Sequence, residues 1–368
     1  MKKKVIAIMG AALLLLSACG GQSGQNDASA SDSGGQGTVE KSQQGAAGES
    51  QRGGQDTKGR SEGETAGETA GKSDKRVVLL VKQMANDFWV ELVGAAELKA
   101  VECGVNLEVL CPLTADSNEE QIQLLEQALL DPPDVFIVVP ADQEGITPAI
   151  EKINDAGIPI INLDTPITAE GLDILTYIGS NNYDLGYDLA KATAEKTGIT
   201  GGKVLIVEGK TGAASSQERT AGAEAAYAEL GWEILDKQPG NWSRDESYNV
   251  VQNLLQKYND VDVIQFNSVS MALGAYEAVL KSGQTDIKCV AVDKNAEALQ
   301  IMEETGAANL FCLIDNPPDF IGSKGVELAA AYLDGEKVEA EYTTSGDIIA
   351  PDEPGWAELL IKYGVAAQ

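Results

Sequence analysis

From Arg76 onward the sequence alternates short apolar runs with amphipathic helical stretches, and this alternation limits the fold more than any other feature. Strands are expected at Val77 to Lys82, Asn106 to Leu110, Val135 to Val139 and Pro159 to Asn162, with helices between them near Trp89 to Glu102, Asn118 to Leu130 and Gln143 to Ala156. Strands that are apolar throughout are buried on both faces. A βαβα order with short loops therefore means a parallel sheet covered by helices on either side. After Tyr177-Ile178 the pattern begins again. Its helices are expected near Asp184 to Lys196, Ser215 to Leu230, Asp245 to Tyr258, Ser270 to Lys281 and Ala296 to Thr305. Its strands fall near Val204 to Val207, Glu233 to Asp236, Val263 to Phe266, Cys289 to Val292 and Asn309 to Leu313. Two α/β sandwiches in series imply two lobes. A further helix, Ile321 to Leu333, and a short strand near Asp347 to Ala350 are more than one lobe accommodates.

In open α/β sheets ligands bind beyond the carboxyl ends of the strands, so the loops there carry the functional information. After Val77 to Val81 come Gln83, Asn86, Asp87, Phe88 and Trp89, without a glycine. An amide, a carboxylate and two rings suit a small polar molecule with apolar faces and are poor at cradling phosphate. Polar or aromatic groups that a core would reject recur at other strand ends. They are Asp164 in NLDTP, Arg219 in SSQERTAG, Trp242 in QPGNWSRDES, Asn267 in FNSVSMALGA, Asp293 in VAVDKN and Asn316 in DNPPDFIGSKG. Singly, the phenylalanine or tryptophan reads equally as a helix staple and the aspartates as helix caps; together, at so many strand ends, they read as a site.

The charge balance narrows the function. With 27 basic and 57 acidic residues the chain carries a net charge of -30, which argues against nucleic acid and against unaided binding to an anionic membrane. It contains no histidine, and so lacks the commonest general base and transition-metal ligand. No cofactor or metal is expected. Glu208-Gly209-Lys210-Thr211 echoes the end of a phosphate loop, but Val204 stands where that motif needs its first glycine. Asn241-Trp242-Ser243 fits a glycosylation acceptor, which a bacterial export signal makes idle. Cys103, Cys111, Cys289 and Cys312 show no CxxC spacing; they read as small buried hydrophobes, with a disulfide as the alternative in an exported chain.

Residues 1–19 run from Lys2-Lys3-Lys4 through an apolar stretch to Leu16-Ser17-Ala18-Cys19, the order of a secretory signal. The LSAC ending resembles the lipobox of bacterial lipoproteins. That resemblance implies that Cys19 is lipidated and becomes the mature N-terminus; the alternative is an ordinary signal peptide with an incidental cysteine. Residues 20–75 hold Gly, Ser, Gln, Glu, Thr and Ala without an aromatic residue and include GETAGETAGK. They cannot bury enough apolar surface to offset their ordering entropy. As a flexible coil the segment is a tether with an r.m.s. reach of roughly 40 Å.

In order and spacing the loop residues, with NDFW, GIPIINLD, QERTAG, SMALGA and IGSKGVE, resemble the sugar-binding members of the type I periplasmic binding protein family, the ribose-binding class above all. The likeness runs over Arg76 to Ala350. It implies an α/β fold of two Rossmann-like parallel-sheet lobes joined by a three-segment hinge. The N-terminal lobe would comprise 76–178 and 317–345, and the C-terminal lobe 179–316 and 346–368. The late helix would return to the first lobe and the last strand cross back to the second. Phe88, Trp89 and Trp242 would sandwich the C–H faces of a sugar, Asp164 and Asp293 would accept from its hydroxyls, and Asn86, Arg219, Asn267 and Asn316 would donate to them.

Many members of that class have an arginine after the position of Asp164, where this chain has Thr165. The choice among pentose, hexose, polyol and sugar-like signal is therefore open. The resemblance implies a monomeric, lipid-anchored, non-enzymatic protein at the outer face of the cell membrane, handing a monosaccharide or similar polyol to the permease of an ABC importer. A sensory module with the same cleft is the second reading. A glycosidase built on the two aspartates ranks third, since nothing marks either as the acid. A related transcription regulator is excluded because the tether stands where a helix-turn-helix would have to be.

Overall fold

The computed structural model describes residues 75–366. The signal segment, Cys19 and the tether up to residue 74 lie outside the described residues. Two six-stranded sheets make up the structure, and the chain builds them one after the other in the same order.

The first contains β1 (Arg76–Leu80), β2 (Asn106–Leu110), β3 (Val135–Val138), β4 (Ile160–Leu163) and β5 (Thr176–Ser180), ordered β2-β1-β3-β4-β5 and all parallel. Helices α1 (Asp87–Cys103), α2 (Asn118–Ala128) and α3 (Thr147–Asp155) connect them. The second contains β6 (Lys203–Glu208), β7 (Glu233–Pro239), β8 (Val263–Phe266), β9 (Lys288–Val292) and β10 (Leu310–Ile314), ordered β7-β6-β8-β9-β10 and also parallel. Its helices are α4 (Asn182–Thr197), α5 (Ala214–Glu229), α6 (Arg244–Lys257), α7 (Val269–Ser282) and α8 (Ala296–Thr305). In each sheet the order reverses next to the first strand, between β1 and β3 and between β6 and β8. Such a reversal opens a crevice at the strand ends.

The apolar runs are explained by this burial. Along β1, Val77 and Leu79 join the core on one face of the sheet, and Val78 and Leu80 the core on the other. Successive strand side chains point to opposite faces, so a strand covered on both sides has no position for a polar residue. The helices begin where a side chain can cap them. Ser117, Asn181, Ser243, Ser268 and Asn295 each accept a hydrogen bond from the backbone N–H three residues on.

After β10 the chain returns to the first half as α9 (Pro318–Leu333), which packs on α1 so closely that a Cβ on Gly322 would lie 2.1 Å from the Leu92 carbonyl oxygen. It adds β11 (Glu341–Thr344) parallel to β5, then crosses again as β12 (Ile348–Ile349), antiparallel to β10, and ends in α10 (Trp356–Lys362) on the second half. The two lobes are therefore joined by three segments, as the resemblance implies. The crossings are bonded to one another. Ser180 Oγ donates to Asn316 Oδ1 at 2.7 Å and lies 2.8 Å from Thr344 Oγ1, while the Asp315 N–H donates to the Asp347 carbonyl at 2.8 Å.

Several elements depart from the sequence reading for local reasons. The third helix begins at Thr147 rather than Gln143, because Asp142 Oδ1 accepts the N–H groups of Glu144 and Gly145 and holds that stretch as a turn. Strand β11 escaped notice because it is an edge strand with polar, half-exposed residues, EYTT. Helix α10 is short, with Gly355 and Gly364 on either side. The four cysteines are free thiols, and burial pushes Cys289 and Cys312 up to about 12.

Candidate functional site

A cavity of about 760 Å³ lies where the carboxyl ends of both sheets face each other. From the first lobe it receives the loops after β1, β2, β3 and β4, and from the second those after β6, β7, β8, β9 and β10. It is a strand-end crevice contributed twice.

Among the expected residues, Asn86, Phe88, Trp89, Asp164, Arg219, Trp242, Asp293 and Asn316 line this cavity. Asn267 does not. It is fully buried, its amide nitrogen donates to Ser216 O and Thr220 Oγ1 at 3.0 Å each, and its carbonyl accepts from Arg219 Nη1 at 2.7 Å. Its position behind α5 makes it a support for Arg219 in this geometry, with Oδ1 left unpartnered.

The two aspartates are placed alike. Asp164 follows β4 and Asp293 follows β9, and both have left-handed backbones, φ 58 and φ 73. For residues other than glycine this conformation is uncommon and concentrates where surrounding structure imposes it. Asp116 and Trp242, with φ 57 and φ 59, also line the cavity. Four strained residues around one cavity mark loops held for a purpose beyond connection.

Each aspartate has a cation beside it. Arg219 Nη1 lies 3.8 Å from Asp293 Oδ1, with side chains 6 % and 14 % exposed. Arg219 Nε donates to Asn182 Oδ1 at 2.8 Å, and the Asn316 amide donates to Asp293 at 3.1 Å. Burial pushes the Asp293 carboxyl up; the Arg219 charge and the Asn316 hydrogen bond oppose that without cancelling it. On the other lobe, Lys82 Nζ donates to Thr165 Oγ1 at 2.8 Å and pairs with Asp164 Oδ2 at 3.3 Å. Thr165, where the ribose class has arginine, thus takes part in a polar cluster whose cation comes from β1.

The aromatic residues divide in role. Trp242 lies over Gly209, where a Cβ would come within 2.0 Å of its ring, and the Arg219 guanidinium sits 5.9 Å from its centroid. Phe88 meets Trp89 edge to face, with centroids 4.8 Å apart. Trp89 is only 5 % exposed, and Lys82 Nζ stands 4.8 Å from its ring centroid. The ring therefore meets the cavity with an ammonium over it, which is a poorer sugar platform than the sequence reading assigned.

The lining also includes residues the sequence reading passed over, notably Lys82, Asp116, Asn118, Asp142, Asn182 and Lys210. Lys82 had a signal, a cation directly after a wholly buried strand. Lys210 belongs to the segment set aside as a broken phosphate loop, and here it forms cavity wall. Two bonds span the cleft: Lys210 Nζ to Asp116 Oδ2 at 3.1 Å, and Asn295 Nδ2 to Asp87 Oδ2 at 2.7 Å. Among the described residues no group of acids and thiols is arranged to hold a metal ion, and no helix is long and apolar enough to cross a membrane.

Two lobes of this topology with a cavity between them have many counterparts, and a family model described as periplasmic binding protein domain matches residues 77–337. The chain belongs to the periplasmic binding protein family. Among the curated relatives of this periplasmic binding protein is the ribose import binding protein RbsB of Salmonella typhimurium. It is 30% identical over 266 residues, covering 72% of this chain and 87% of the relative. RbsB of Bacillus subtilis is 29% identical over 268 residues, covering 73% and 85%. Among solved structures, an ABC transporter solute-binding protein from Actinobacillus succinogenes with bound D-allose superposes with a TM-score of 0.71 at 28% identity, covering 75% of this chain and 97% of that one. The Caulobacter myo-inositol binding protein shares the fold with a TM-score of 0.70 at 24% identity, covering 78% and 96%. Binding proteins of this family capture solutes and are not enzymes.

Proposed function

We propose that this periplasmic binding protein is the substrate-binding component of an ABC sugar importer, holding a monosaccharide or similar polyol between its lobes. The observation that carries the reading is the cavity itself, with a carboxylate and a cation on each of two opposed walls and aromatic rings beside them. A ring polyol presents hydroxyls around its edge and C–H groups on its faces, and this wall answers both. Hydrogen bonds to charged groups contribute about 1.5–3 kcal/mol each, so a few supply much of the ~8 kcal/mol that micromolar affinity needs. The relatives named for ribose and the solved structure with D-allose favour a sugar over other solutes. Asn86, Phe88, Trp89, Asp164, Arg219, Trp242, Asp293 and Asn316 are the proposed contacts, with Asn267 acting through Arg219.

A ligand touching both lobes stabilises the closed arrangement alone, and closure is what a permease would read. The lobes divide at the three crossings, 76–178 with 317–345 against 179–316 with 346–368. Cys19 is the proposed lipid attachment, and residues 20–75 the tether that holds a monomeric binding domain off the outer face of the membrane. Calorimetry with D-ribose, D-allose, D-fructose, L-arabinose and myo-inositol tests the binding. Folded protein with no heat from any of them would refute the reading. Transport is separated from sensing by whether loaded protein stimulates the ATPase of a co-reconstituted importer.

A further inference from the structure

Lys82 stands just beyond β1, where a strand buried on both faces opens into the cavity. Its side chain is 15 % exposed, and its two polar contacts lie on one side, Thr165 Oγ1 at 2.8 Å and Asp164 Oδ2 at 3.3 Å. The Thr165 hydroxyl donates to the same carboxylate oxygen at 3.0 Å. An ammonium has three donors. Two are used, and the group lines the cavity with one to spare. The other cations of the lining are engaged differently. Lys294 is held by Asp315, Lys210 by Asp116 at the junction of the lobes, and Arg219 by Asn182, the Asn267 carbonyl and Asp293.

We infer that Lys82 is a specificity-determining residue, donating directly to one oxygen of the bound polyol beside the hydroxyl from which Asp164 accepts. The inference rests on the sugar reading and adds to it what the first-lobe wall selects. A donor and an acceptor side by side match two neighbouring oxygens of a ring, one accepting and one donating. An ammonium is a compact point donor on a flexible stem, unlike a planar guanidinium fork, so it requires one acceptor and not a coplanar pair. This wall therefore selects for the position of a single oxygen, next to a hydroxyl, and does not require a ring oxygen.

Loss of affinity on mutating Lys82 would not by itself separate contact from support, because Asp164 loses its partner too. The decisive experiment pairs changes in protein and ligand. The tightest-binding of D-ribose, D-allose, D-fructose, L-arabinose and myo-inositol, and each of its monodeoxy derivatives, is titrated into wild-type protein and Lys82→Met. One derivative is expected to lose about 10-fold or more on wild type but under about 2-fold on Lys82→Met, the others losing equal factors on both. In Asp164→Asn the corresponding insensitivity is expected at the adjacent position. Equal factors throughout for both proteins would make Lys82 a mere support for Asp164 and overturn the inference. Should Lys82→Met not fold, the ¹⁵N resonance of the Lys82 ammonium in wild-type protein decides. A shift with slowed proton exchange on adding sugar supports contact, and an unchanged resonance refutes it. Folded wild-type protein that binds none of the five sugars would remove the sugar reading and this inference together, whereas binding without coupling removes only the role of Lys82.

Discussion

Asp116 and Lys210 meet across the cleft, Oδ2 to Nζ 3.1 Å, one from the loop after β2 and the other from the loop after β6. Their side chains are 15 % and 49 % exposed. The pair joins the lobes at the cavity itself, so whatever free energy it has goes into the closed arrangement. A half-exposed pair contributes only up to about 1 kcal/mol. Lys210→Ala is therefore expected to weaken sugar binding by no more than about 5-fold, chiefly through faster release, and to flatten the dependence of affinity on salt. Stopped-flow release at low and high ionic strength checks it.

Asp293 makes affinity depend on pH. Burial raises its pKa above the ordinary carboxylate value, with Arg219 and Asn316 opposing. In the window between the two values the folded, empty protein binds more protons than the unfolded chain, so this residue's contribution to stability falls as pH rises through it. Ionisation also makes Asp293 a stronger acceptor for a sugar hydroxyl. Affinity is thus expected to rise from pH 4 toward neutrality as the proton leaves, and Asp293→Asn to bind weakly and without that slope. Calorimetry across the range in both proteins measures it.

Helices α4 and α5 approach at paired glycines. A Cβ on Gly186 would lie 1.9 Å from the Arg219 carbonyl oxygen, and one on Gly222 2.0 Å from that of Tyr183. Gly186→Ala must push α5 outward, which overpacks the junction at a cost of about 1–3 kcal/mol and displaces Arg219 from Asp293. The expected result is a lower Tm together with weaker sugar binding. Gly94→Ala, where nothing lies within 4 Å of the added carbon, should be neutral or stabilising by up to about 1 kcal/mol. Thermal melts and titrations of the two variants distinguish them.

Tyr363 on α10 reaches the first lobe, its hydroxyl donating to Glu91 at 2.7 Å. Burial raises the Glu91 carboxyl, opposed by this hydrogen bond and by Lys294 and Lys362, while nearby Asp319 adds to the rise. Tyr363→Phe keeps the ring and leaves a half-buried carboxylate without its donor, at a cost of about 1–3 kcal/mol. Stability near neutral pH is expected to drop, with part of the loss recovered as pH is lowered and Glu91 protonates. Small-angle scattering of the empty variant should also show a more open form, since the bond joins α10 to α1.

Much of the site was legible because the fold has a rule: strand ends face the cleft. Phe88, Asp164, Trp242 and Asp293 announce themselves as polar or aromatic residues directly after apolar runs. Asn267 obeys the same pattern yet lies behind Arg219, because a loop residue's direction depends on its backbone torsions and neighbours, which periodicity does not encode. Trp89 likewise has the expected position, but only the packing reveals Lys82 over its ring.

What the sequence alone determined is local: which segments are strands and helices, that the strands are covered on both faces, and that two similar units follow one another. These follow from side-chain pattern, since apolar runs and amphipathic stretches have only one way to bury their surface in water. The tertiary structure decided which distant groups meet. Lys82 is bonded to Thr165 across 83 positions of sequence, and Lys210 to Asp116 across 94. Such meetings depend on how strands order themselves in a sheet and how far two lobes close over a three-stranded hinge. Both are set by the packing of the whole chain, and no residue's own chemistry carries them.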